Sequence, residues 1–410
     1  MTGHTSALVV GGGPAGASAA LQLARRGHRV VVIERRDPAE RQAAGVLLNP
    51  RAVACLDRLD VAIPRESNTV SDVRLWAGGD SISIGWPRHP DLPSYGFVSR
   101  DLDQALLAEA ESAGATILHG HTAHAPIIER GFVRGAEVVG VDGTEFEARA
   151  DFTVVADGAN SRFGRALGTF REPSWPYALV HHGSFPSPLH TSSEVELVLD
   201  LRDHSGTPIT GHGWMYPAGD GTVTVGILMT STAPSFQVVK PANLFHRILD
   251  THADRWSITG DPQVPPTGQR LPLGLSVGPL AGPTYLLVGD AAGAANPLSG
   301  SSIDSALETG MIAAEVLDEA ITTGDAANLQ RYPRLLDDRY GSYYKVGRLA
   351  TRAISQPTVA RRVERLATRH RSVADAYVRI TTDALRPGYA GPAETTYRIG
   401  RALSVIAPAA

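Results

Sequence analysis

Residues 6–34 read SALVVGGGPAGASAALQLARRGHRVVVIE, and this stretch decides the fold. A short apolar strand leads into a glycine-rich loop, a run of good helix formers follows, and a second strand of buried type ends the stretch. This order is a complete βαβ unit, the building block of a doubly wound parallel sheet. The GxGxxG spacing of Gly11, Gly13 and Gly16 is typical of a loop that binds a pyrophosphate at a helix N-terminus.

The three glycines and the acid after them have separate tasks. Gly11 permits the tight turn, Gly13 lets backbone N–H groups approach a pyrophosphate, and Gly16 lets the helix and strand pack closely. Glu34 stands 18 residues after Gly16, where it can accept hydrogen bonds from ribose hydroxyls and disfavours the 2′-phosphate of NADP. We therefore predict a dinucleotide site, against the alternative of an ordinary glycine turn. The predicted contacts in this half are Gly11, Gly13, Pro14, Ala15, Gly16, Glu34 and Arg35.

A second stretch, GDAAGAANPLSGSSIDSAL at 289–307, directly follows the apolar run 284–288. Small side chains build a poor core, so their number here suggests that the backbone comes close to a ligand. Asp290 at a strand end can accept hydrogen bonds from a ribityl chain. The bare backbone before a helix predicted over 303–319 can bring N–H donors up to a flat polar ring. A helix-capping loop is the alternative, and it explains Asp290 but not the length of the run.

A third motif lies between these two, where a strand predicted over 152–156 ends at Asp157-Gly158. Alone, this pair is an ordinary turn. In the order GxGxxG, ADGANSRFGR and VGDAAGAANPLSG, the three motifs resemble the fingerprints of the flavoprotein fold shared by aromatic hydroxylases and geranylgeranyl reductases. Stretches such as GHGWMYPAGDGTVTVGI at 211–227 and IDSALETGMIAAEVL at 303–317 are most similar to the geranylgeranyl reductase family, which includes the menaquinone side-chain reductases of actinobacteria.

The resemblance implies FAD, with its adenosine half along the first glycine loop and its isoalloxazine ring under residues 297–303. Arg100 of VSRDLDQAL would lie near the phosphates and the ribityl chain; without the resemblance it reads equally well as a solvated residue at a helix start. The further FAD contacts that the resemblance implies are Ala44, Gly45, Arg100, Asp157, Gly158, Asp290, Pro297, Gly300, Ser301, Ser302 and Ile303.

The motif order predicts an α/β fold in which a Rossmann-type FAD-binding domain is interleaved with a mixed-sheet substrate domain and followed by C-terminal helices. The FAD-binding domain is expected over 1–70, 96–175 and 270–330. The substrate domain is expected over 71–95 and 176–269, where alternating strands suggest a sheet with one wet and one dry face. Asp220-Gly221 is the expected turn of a hairpin in that sheet. Residues 331–410 are expected to be helical.

Two positions depart from the family pattern beside the predicted ring. The reductases usually carry a Cys-Gly pair where this chain has Ala44-Gly45, and they favour glycine where it has Ser302. The loop AGVL at 44–47 is closer to that of the aromatic hydroxylases. These departures do not affect the prediction of FAD, but they leave the reaction open.

Candidate residues for catalysis are few. Trp214 and Tyr216 match the cavity-lining aromatic segment of the family, with an ordinary core strand as the alternative. His212 could donate a proton within that cavity, although a lone histidine is more often structural. His181-His182 lacks a third ligand at metal spacing, so we expect no metal.

Composition excludes several classes of function. The 410 residues are 43% hydrophobic with a net charge of −4, which offers no general attraction for nucleic acid. Cys55 is the only cysteine, and with no signal-like N-terminus we expect a cytoplasmic protein. Residues 345–371 hold eight basic residues against Glu364 alone. They suggest peripheral contact with an anionic membrane, or simply a solvated helix face.

Three functions follow from these observations. The first is an FAD-dependent reductase of carbon–carbon double bonds in a hydrophobic isoprenoid- or polyketide-like substrate. The second is an NAD(P)H-dependent flavin monooxygenase, which the AGVL loop favours. The third is a non-redox FAD-containing cyclase or lipid-binding protein. Because the sequence has no second GxGxxG, NAD(P)H is expected to bind only transiently, or a protein electron donor replaces it.

Overall fold

The computed structural model describes residues 5–38, 43–203 and 205–406. In chain order its strands are β1 (Ala7–Val10), β2 (Val30–Glu34), β3 (Val46–Leu48), β4 (Asn68–Val70), β5 (Asp72–Ala77), β6 (Asp80–Gly85), β7 (Gly96–Ser99), β8 (Thr116–His119), β9 (Thr122–Glu129), β10 (Phe132–Val139), β11 (Glu145–Arg149), β12 (Phe152–Val155), β13 (Phe170–Arg171), β14 (Tyr177–Pro186), β15 (Glu194–Val198), β16 (Gly211–Pro217), β17 (Thr222–Thr230), β18 (Val264–Pro272), β19 (Val277–Gly278) and β20 (Tyr285–Leu287). Its α-helices are α1 (Pro14–Arg25), α2 (Pro50–Arg58), α3 (Leu102–Ser112), α4 (Arg162–Ala166), α5 (Pro241–His252), α6 (Ile303–Thr323), α7 (Tyr332–Leu336), α8 (Ser342–Ile354), α9 (Pro357–Arg369), α10 (Arg371–Thr381) and α11 (Pro392–Ile406).

A five-stranded parallel sheet carries the three sequence motifs at the carboxyl ends of its strands. The strand order is β20-β12-β1-β2-β8, and β1 pairs in parallel with both β12 and β2. Helices α1, α3 and α6 pack against one face, and the antiparallel sheet β9–β11 covers the other. Both faces are therefore buried, as the continuous apolar strands require. The predicted α/β fold with a Rossmann-type unit is confirmed.

A second, seven-stranded sheet has the order β18-β14-β17-β16-β15-β5-β6. It is antiparallel except where β15 runs parallel to β5, and β16 and β17 form the predicted hairpin around Asp220-Gly221. The expectation of one wet face is wrong for the centre of this sheet, since each residue of β17 is buried. Helix α5 covers one face, and the other face forms the floor of a cavity.

The strands of the second sheet come from the two segments predicted for the substrate domain, except that β18 continues to Pro272. The division into domains itself stays a prediction. Helices α7–α11 occupy the predicted C-terminal helical region, and α10 reaches back over the second sheet to line the cavity. No helix in the described part of the chain combines the length and the apolar character needed to cross a membrane.

Candidate active site

The first glycine loop has the geometry that its spacing predicts. Gly11 has a φ of +104°, and a β-carbon there would lie 2.3 Å from the carbonyl oxygen of Ala156. A β-carbon on Gly16 would lie 2.0 Å from the carbonyl oxygen of Gly11. A β-carbon on Gly13, in contrast, meets no protein atom within 4 Å. The first and third glycines are thus required by the fold, whereas the second borders open space at the N-terminus of α1.

Glu34 is the acid that closes this half of the site. Its carboxylate is buried and accepts from the backbone N–H groups of Gly12 at 2.7 Å and Arg36 at 2.9 Å. Arg36 also forms an ion pair with it at 3.4 Å. Arg36 and the predicted contact Arg35 are both exposed. A small pocket adjoins the carboxylate, and His119 in its wall has a buried Nδ1 without a hydrogen-bond partner. His119 was missed from the sequence because only the pairing of β8 with β2 brings it beside Glu34. Arg36 was missed although it stands two residues after Glu34, because the sequence pattern does not separate it from Arg35.

The other two motifs lie against this loop. Ala156, which precedes Asp157-Gly158, touches Gly11. The carboxylate of Asp157 accepts from the hydroxyl of Ser161 at 2.6 Å and from the N–H of Phe163 at 2.9 Å. It therefore supports its own loop, while a β-carbon on Gly158 would meet no protein atom within 4 Å.

The third motif packs directly against the first turn of α1. There is no room at this contact for larger side chains on the motif. A β-carbon on Gly289 would lie 2.7 Å from that of Ala15, and one on Gly310 would lie 2.3 Å from the carbonyl oxygen of Ala15. The small residues of the GxGxxG loop and of the stretch 289–307 are thus explained by close helix–strand and helix–helix packing as well as by space for a ligand.

Asp290 is a buried polar residue whose hydrogen bonding is incomplete in this packing. Its Oδ1 atom is buried without a hydrogen-bond partner. Burial raises the pKa of Asp290 to about 6, and a hydrogen bond from Ser302 opposes this rise only in part. Buried carboxylate oxygens are rarely left unpaired in folded proteins. An acceptor of this kind, across from the open N-terminus of α1, fits a dinucleotide whose ribityl hydroxyls donate to it.

The loop 297–303 joins this end of the site to the second sheet. Gly300 has a φ of +66°, and a β-carbon there would lie 2.1 Å from Cδ1 of Leu228 on β17. Pro297 packs against Gly347 of α8, and the hydroxyl of Ser301 donates to Asp304 at 3.0 Å. Ser302 and Ile303 begin α6. The loop is therefore held against the floor of the cavity.

Ala44 and Gly45 directly precede β3, and Arg100 directly follows β7, its antiparallel neighbour; of the three, Gly45 lines the cavity. Ala44 is buried, and a β-carbon on Gly45 would lie 3.0 Å from both Ala218 and Val98. Arg100 donates to the carbonyl oxygen of Ala43 at 2.8 Å and forms an ion pair with Asp220 in the β16–β17 turn. Arg100 thus ties the segment before β3 to the turn of the seven-stranded sheet, and its contact with phosphate or ribityl groups stays a prediction.

The cavity has a volume of about 1210 Å³, including its open mouth. Its walls come from residues 45–49 around β3, the second sheet, residues 299–303 at the start of α6, and helix α10. The three predicted catalytic residues, His212, Trp214 and Tyr216, alternate along β16 and all line it. Within the described residues, the lining side chains are apolar or uncharged polar.

The aromatic floor of the cavity depends on one glycine. Trp214 and Tyr216 stack with ring centroids 5.8 Å apart and an interplanar angle of 23°. Gly226 is the cross-strand partner of Trp214, and a β-carbon there would lie 2.2 Å from the indole ring. The indole therefore lies over a bare patch of β17.

Of the adjacent histidines, His182 lines the cavity and His181 faces the other side, 5.0 Å from the ring of Phe245. Neighbouring residues in a strand point to opposite faces, so the two cannot share a ligand. Among the described residues, no group of three or more His, Cys, Asp or Glu side chains is placed to hold a metal ion.

These features define a flavoprotein oxidoreductase, and residues 4–207 match the model of the FAD binding domain family. The chain is 36% identical over 351 residues to the menaquinone reductase of Mycobacterium tuberculosis, covering 83% of this chain and 82% of that protein. It is 30% identical over 375 residues to digeranylgeranylglycerophospholipid reductase 2 of Methanopyrus kandleri, covering 85% and 86%. The crystal structure of a geranylgeranyl bacteriochlorophyll reductase-like protein from Thermoplasma acidophilum matches with a TM-score of 0.76 at 23% identity, covering 94% and 97%. The chain belongs to the geranylgeranyl reductase family of FAD-dependent oxidoreductases.

Membership of this family confirms the predicted cofactor, FAD, and makes the chain an enzyme. Which individual residues contact the cofactor stays a prediction, but the open space at Gly13 and the unpaired oxygen of Asp290 fit it.

The affinity for FAD is expected to fall as the pH drops below about 6. In the ligand-free protein, burial raises the pKa of Asp290 to about 6. A ribityl hydroxyl donating to the carboxylate would favour its charged form, so the FAD-bound protein would have the lower pKa. Binding is then unimpeded above pH 6 and weakens by up to about tenfold per pH unit below it. Titration of flavin fluorescence between about pH 5 and pH 8 measures this change.

Ser302→Ala tests the origin of that pH dependence. The substitution removes the hydrogen bond that lowers the pKa of Asp290, so the loss of affinity should begin at a higher pH. Ser301→Ala is the matched control, because the Ser301 hydroxyl donates to Asp304 instead. If both variants lose FAD at the pH of the unmodified protein, Asp290 does not control binding.

Proposed function

We propose that this enzyme reduces carbon–carbon double bonds in a long isoprenoid substrate. The observation that carries the proposal is the cavity, whose apolar and uncharged lining runs from the second sheet to the loop 299–303. A site of this lining suits a long hydrocarbon chain. The names of the relatives described above support reduction, and they do not favour the monooxygenase or the non-redox alternative.

The chain's own residues bind and orient the substrate. The stacked rings of Trp214 and Tyr216 offer a flat apolar floor. Ile303 at the start of α6 and Val46 of β3 line the same space. Apolar walls around the hydrocarbon chain of the substrate exclude water from the reacting carbons. When bound and reduced, FAD supplies the hydride, and a proton must then reach the other carbon of the double bond.

Two side chains could govern that proton. Burial raises the pKa of Tyr216, so its phenol stays protonated at neutral pH. Burial lowers the pKa of His212 to about 4, so its ring is neutral and holds no spare proton at pH 7. The predicted role of His212 as proton donor is therefore less favourable than a role for Tyr216.

The decisive experiment is an anaerobic turnover assay with mass detection. FAD-loaded protein is reduced with dithionite under nitrogen and mixed with isoprenoids of four or more units. We expect a product heavier by two mass units. A product heavier by sixteen, formed only in air with NAD(P)H, would establish oxygenation and overturn the proposal.

Gly226→Ala is expected to lower the catalytic efficiency with the unsaturated isoprenoid substrate by about tenfold to a hundredfold, without loss of FAD. The new methyl group would meet the indole ring of Trp214 at 2.2 Å, so the ring must tilt into the cavity. A displacement of about 1 Å at a substrate-positioning group has effects of this size. Steady-state kinetics and the flavin absorbance of the purified variant measure the two quantities.

Gly85→Ala is the control for that change. Gly85 lies in β6 of the same sheet, and its nearest non-local contact is a carbonyl oxygen at 3.8 Å. It should behave like the unmodified enzyme. Equal kinetics for the two variants would show that Trp214 does not position the substrate.

We further propose that α9 rests on an anionic bilayer from which the substrate enters. Of the basic residues in 345–371, Arg348 is buried over the ring of Trp175 and cannot take part. Helix α9, in contrast, exposes Arg361, Arg362 and Arg365 around Val359 and Leu366. A basic face with exposed apolar side chains is typical of a helix that lies in a membrane interface.

Sedimentation with vesicles tests this second proposal. The protein should sediment with vesicles of phosphatidylglycerol and phosphatidylcholine at low salt, and the variant with Arg361, Arg362 and Arg365 replaced by glutamine should not. Arg398 and Arg401 on α11 supply a control double variant of the same type. Equal sedimentation of all three proteins would contradict a role for α9.

A further inference from the structure

The cavity contains a buried polar group that the proposed reaction does not use. His212 on β16 is 7% exposed and lines the cavity. Burial is the single cause of the change in its pKa, and no described protein group forms a hydrogen bond with its ring. Neither ring nitrogen is among the fully buried unpaired polar atoms of the described residues. The ring therefore opens onto the cavity, where a ligand can supply the hydrogen-bond partner.

His212 lies close to the reacting end of the cavity. Its cross-strand partner is Leu228. Gly300 of the loop 297–303 packs against the same leucine. Adjacent strands are about 4.8 Å apart. His212 is therefore one strand away from the point where the loop meets the sheet, and a group bound to it would lie beside the flavin ring predicted at 297–303.

The surroundings of His212 define the charge of that group. The described residues lining the cavity include no lysine, arginine, aspartate or glutamate. A diphosphate or a phosphodiester taken into such a lining would lose its hydration without gaining a countercharge, which is strongly unfavourable. A carbonyl or hydroxyl oxygen needs one hydrogen bond only, and a neutral imidazole can donate to it or accept from it.

We propose that His212 hydrogen-bonds an uncharged oxygen, a carbonyl or a hydroxyl, in the head group of the isoprenoid substrate. This inference rests on the proposed function for the isoprenoid nature of the ligand. It adds that the head group enters the cavity and that His212 selects for its chemistry. The enzyme should therefore discriminate against isoprenoids with a phosphorylated head.

Four probes with the same twenty-carbon tail test the selection. They are a naphthoquinone carrying a geranylgeranyl chain, geranylgeraniol, geranylgeranyl diphosphate and the hydrocarbon without a head group. Dissociation constants for the FAD-loaded enzyme are measured in one detergent by quenching of tryptophan fluorescence, since Trp214 and Trp86 line the cavity. The quinone and the alcohol should bind at least about tenfold more tightly than the diphosphate and the hydrocarbon.

Variants then assign the preference to His212. His212→Phe should weaken binding of the quinone and the alcohol by about tenfold and change the hydrocarbon by less than about twofold. His212→Gln, which keeps an uncharged donor and acceptor, should recover most of the loss. His252→Phe is the matched control, because His252 is buried to the same extent on the other face of the sheet.

Two results would overturn the inference. One is equally tight binding of the diphosphate and the quinone to the unmodified enzyme. The other is a His212→Phe variant with four unchanged dissociation constants, which would mean that water satisfies the imidazole and that head groups stay outside. Mass analysis of the same mixtures is read separately. Selective binding without a gain of two mass units overturns the reductase proposal and not this inference. A gain of two mass units without selective binding overturns this inference and not the reductase proposal.

Discussion

Replacing Gly13 with leucine is expected to give a folded protein that no longer binds FAD. The backbone at Gly13 has a φ of −70°, which leucine adopts without strain. A β-carbon there meets no protein atom within 4 Å, so the side chain would enter the space predicted for the pyrophosphate. We expect the dissociation constant for FAD to rise by at least about 100-fold, or about 3 kcal/mol. Flavin absorbance of the purified protein and titration of the apoprotein measure it.

Two other glycine variants separate loss of the ligand from loss of the fold. Gly16→Ala places a methyl group 2.0 Å from the carbonyl oxygen of Gly11, so it should disturb the protein itself and lower the thermal midpoint. Gly85 lies in β6, an edge strand of the second sheet, and not in the glycine loop. Gly85→Leu should therefore retain FAD. If Gly13→Leu is purified with a full complement of FAD, the pyrophosphate does not lie at the N-terminus of α1.

The FAD-binding half of the fold was predictable because its signals are local. The turn at Gly11, the start of α1 and the acid at the end of β2 are contained in 29 consecutive residues, and each has its own steric or hydrogen-bonding reason. The order of the three motifs then fixes which strands are neighbours. Their convergence is visible in the contact of Gly11 with Ala156 and in that of Gly289 with Ala15.

The cavity was less predictable because its shape depends on register between distant strands. The pairing of Trp214 with Gly226 needs the hairpin alignment, which the sequence suggests only through the turn at Asp220-Gly221. The prediction of a half-wet sheet failed for a related reason. Alternation along β17 could not show that α5 covers one face, or that the cavity and α10 lie on the other.

A buried group of charges that attaches the C-terminal region was not predicted at all. Arg51 of α2 contacts Glu308 of α6 at 2.9 Å and Asp383, beyond α10, at 3.1 Å. Arg339 contacts the same two carboxylates at 3.1 Å each. Arg51 and Glu308 are 257 residues apart, so no local pattern could indicate their pairing. Together these residues hold α10, a wall of the cavity, to the FAD-binding unit.

The charges in this group depend on one another. Burial lowers the pKa of Arg51, but Asp383, Asp304 and Glu308 outweigh that effect and raise it above the ordinary value. Burial raises the pKa of Asp383 to about 7, and Arg51 opposes that rise. A carboxyl group with a raised pKa in the folded state contributes stability below its unfolded pKa and loses it as the pH rises through the folded value. Asp383 thus favours the folded state at acid pH, and Arg51 limits the loss at neutral pH.

Arg51→Met is accordingly expected to lower the free energy of unfolding by about 3–5 kcal/mol at neutral pH, because it leaves buried carboxylates without their main countercharge. Without Arg51 the pKa of Asp383 should rise further, so the difference from the unmodified protein should be smaller near pH 5 and larger near pH 9. Urea unfolding followed by circular dichroism measures both values. Arg334→Met, which breaks an exposed pair with Asp338, is the control and should cost less than about 1 kcal/mol. A penalty for Arg51→Met equal to that of the control, or independent of pH, would show that the buried charges do not fasten α10 to the FAD-binding unit.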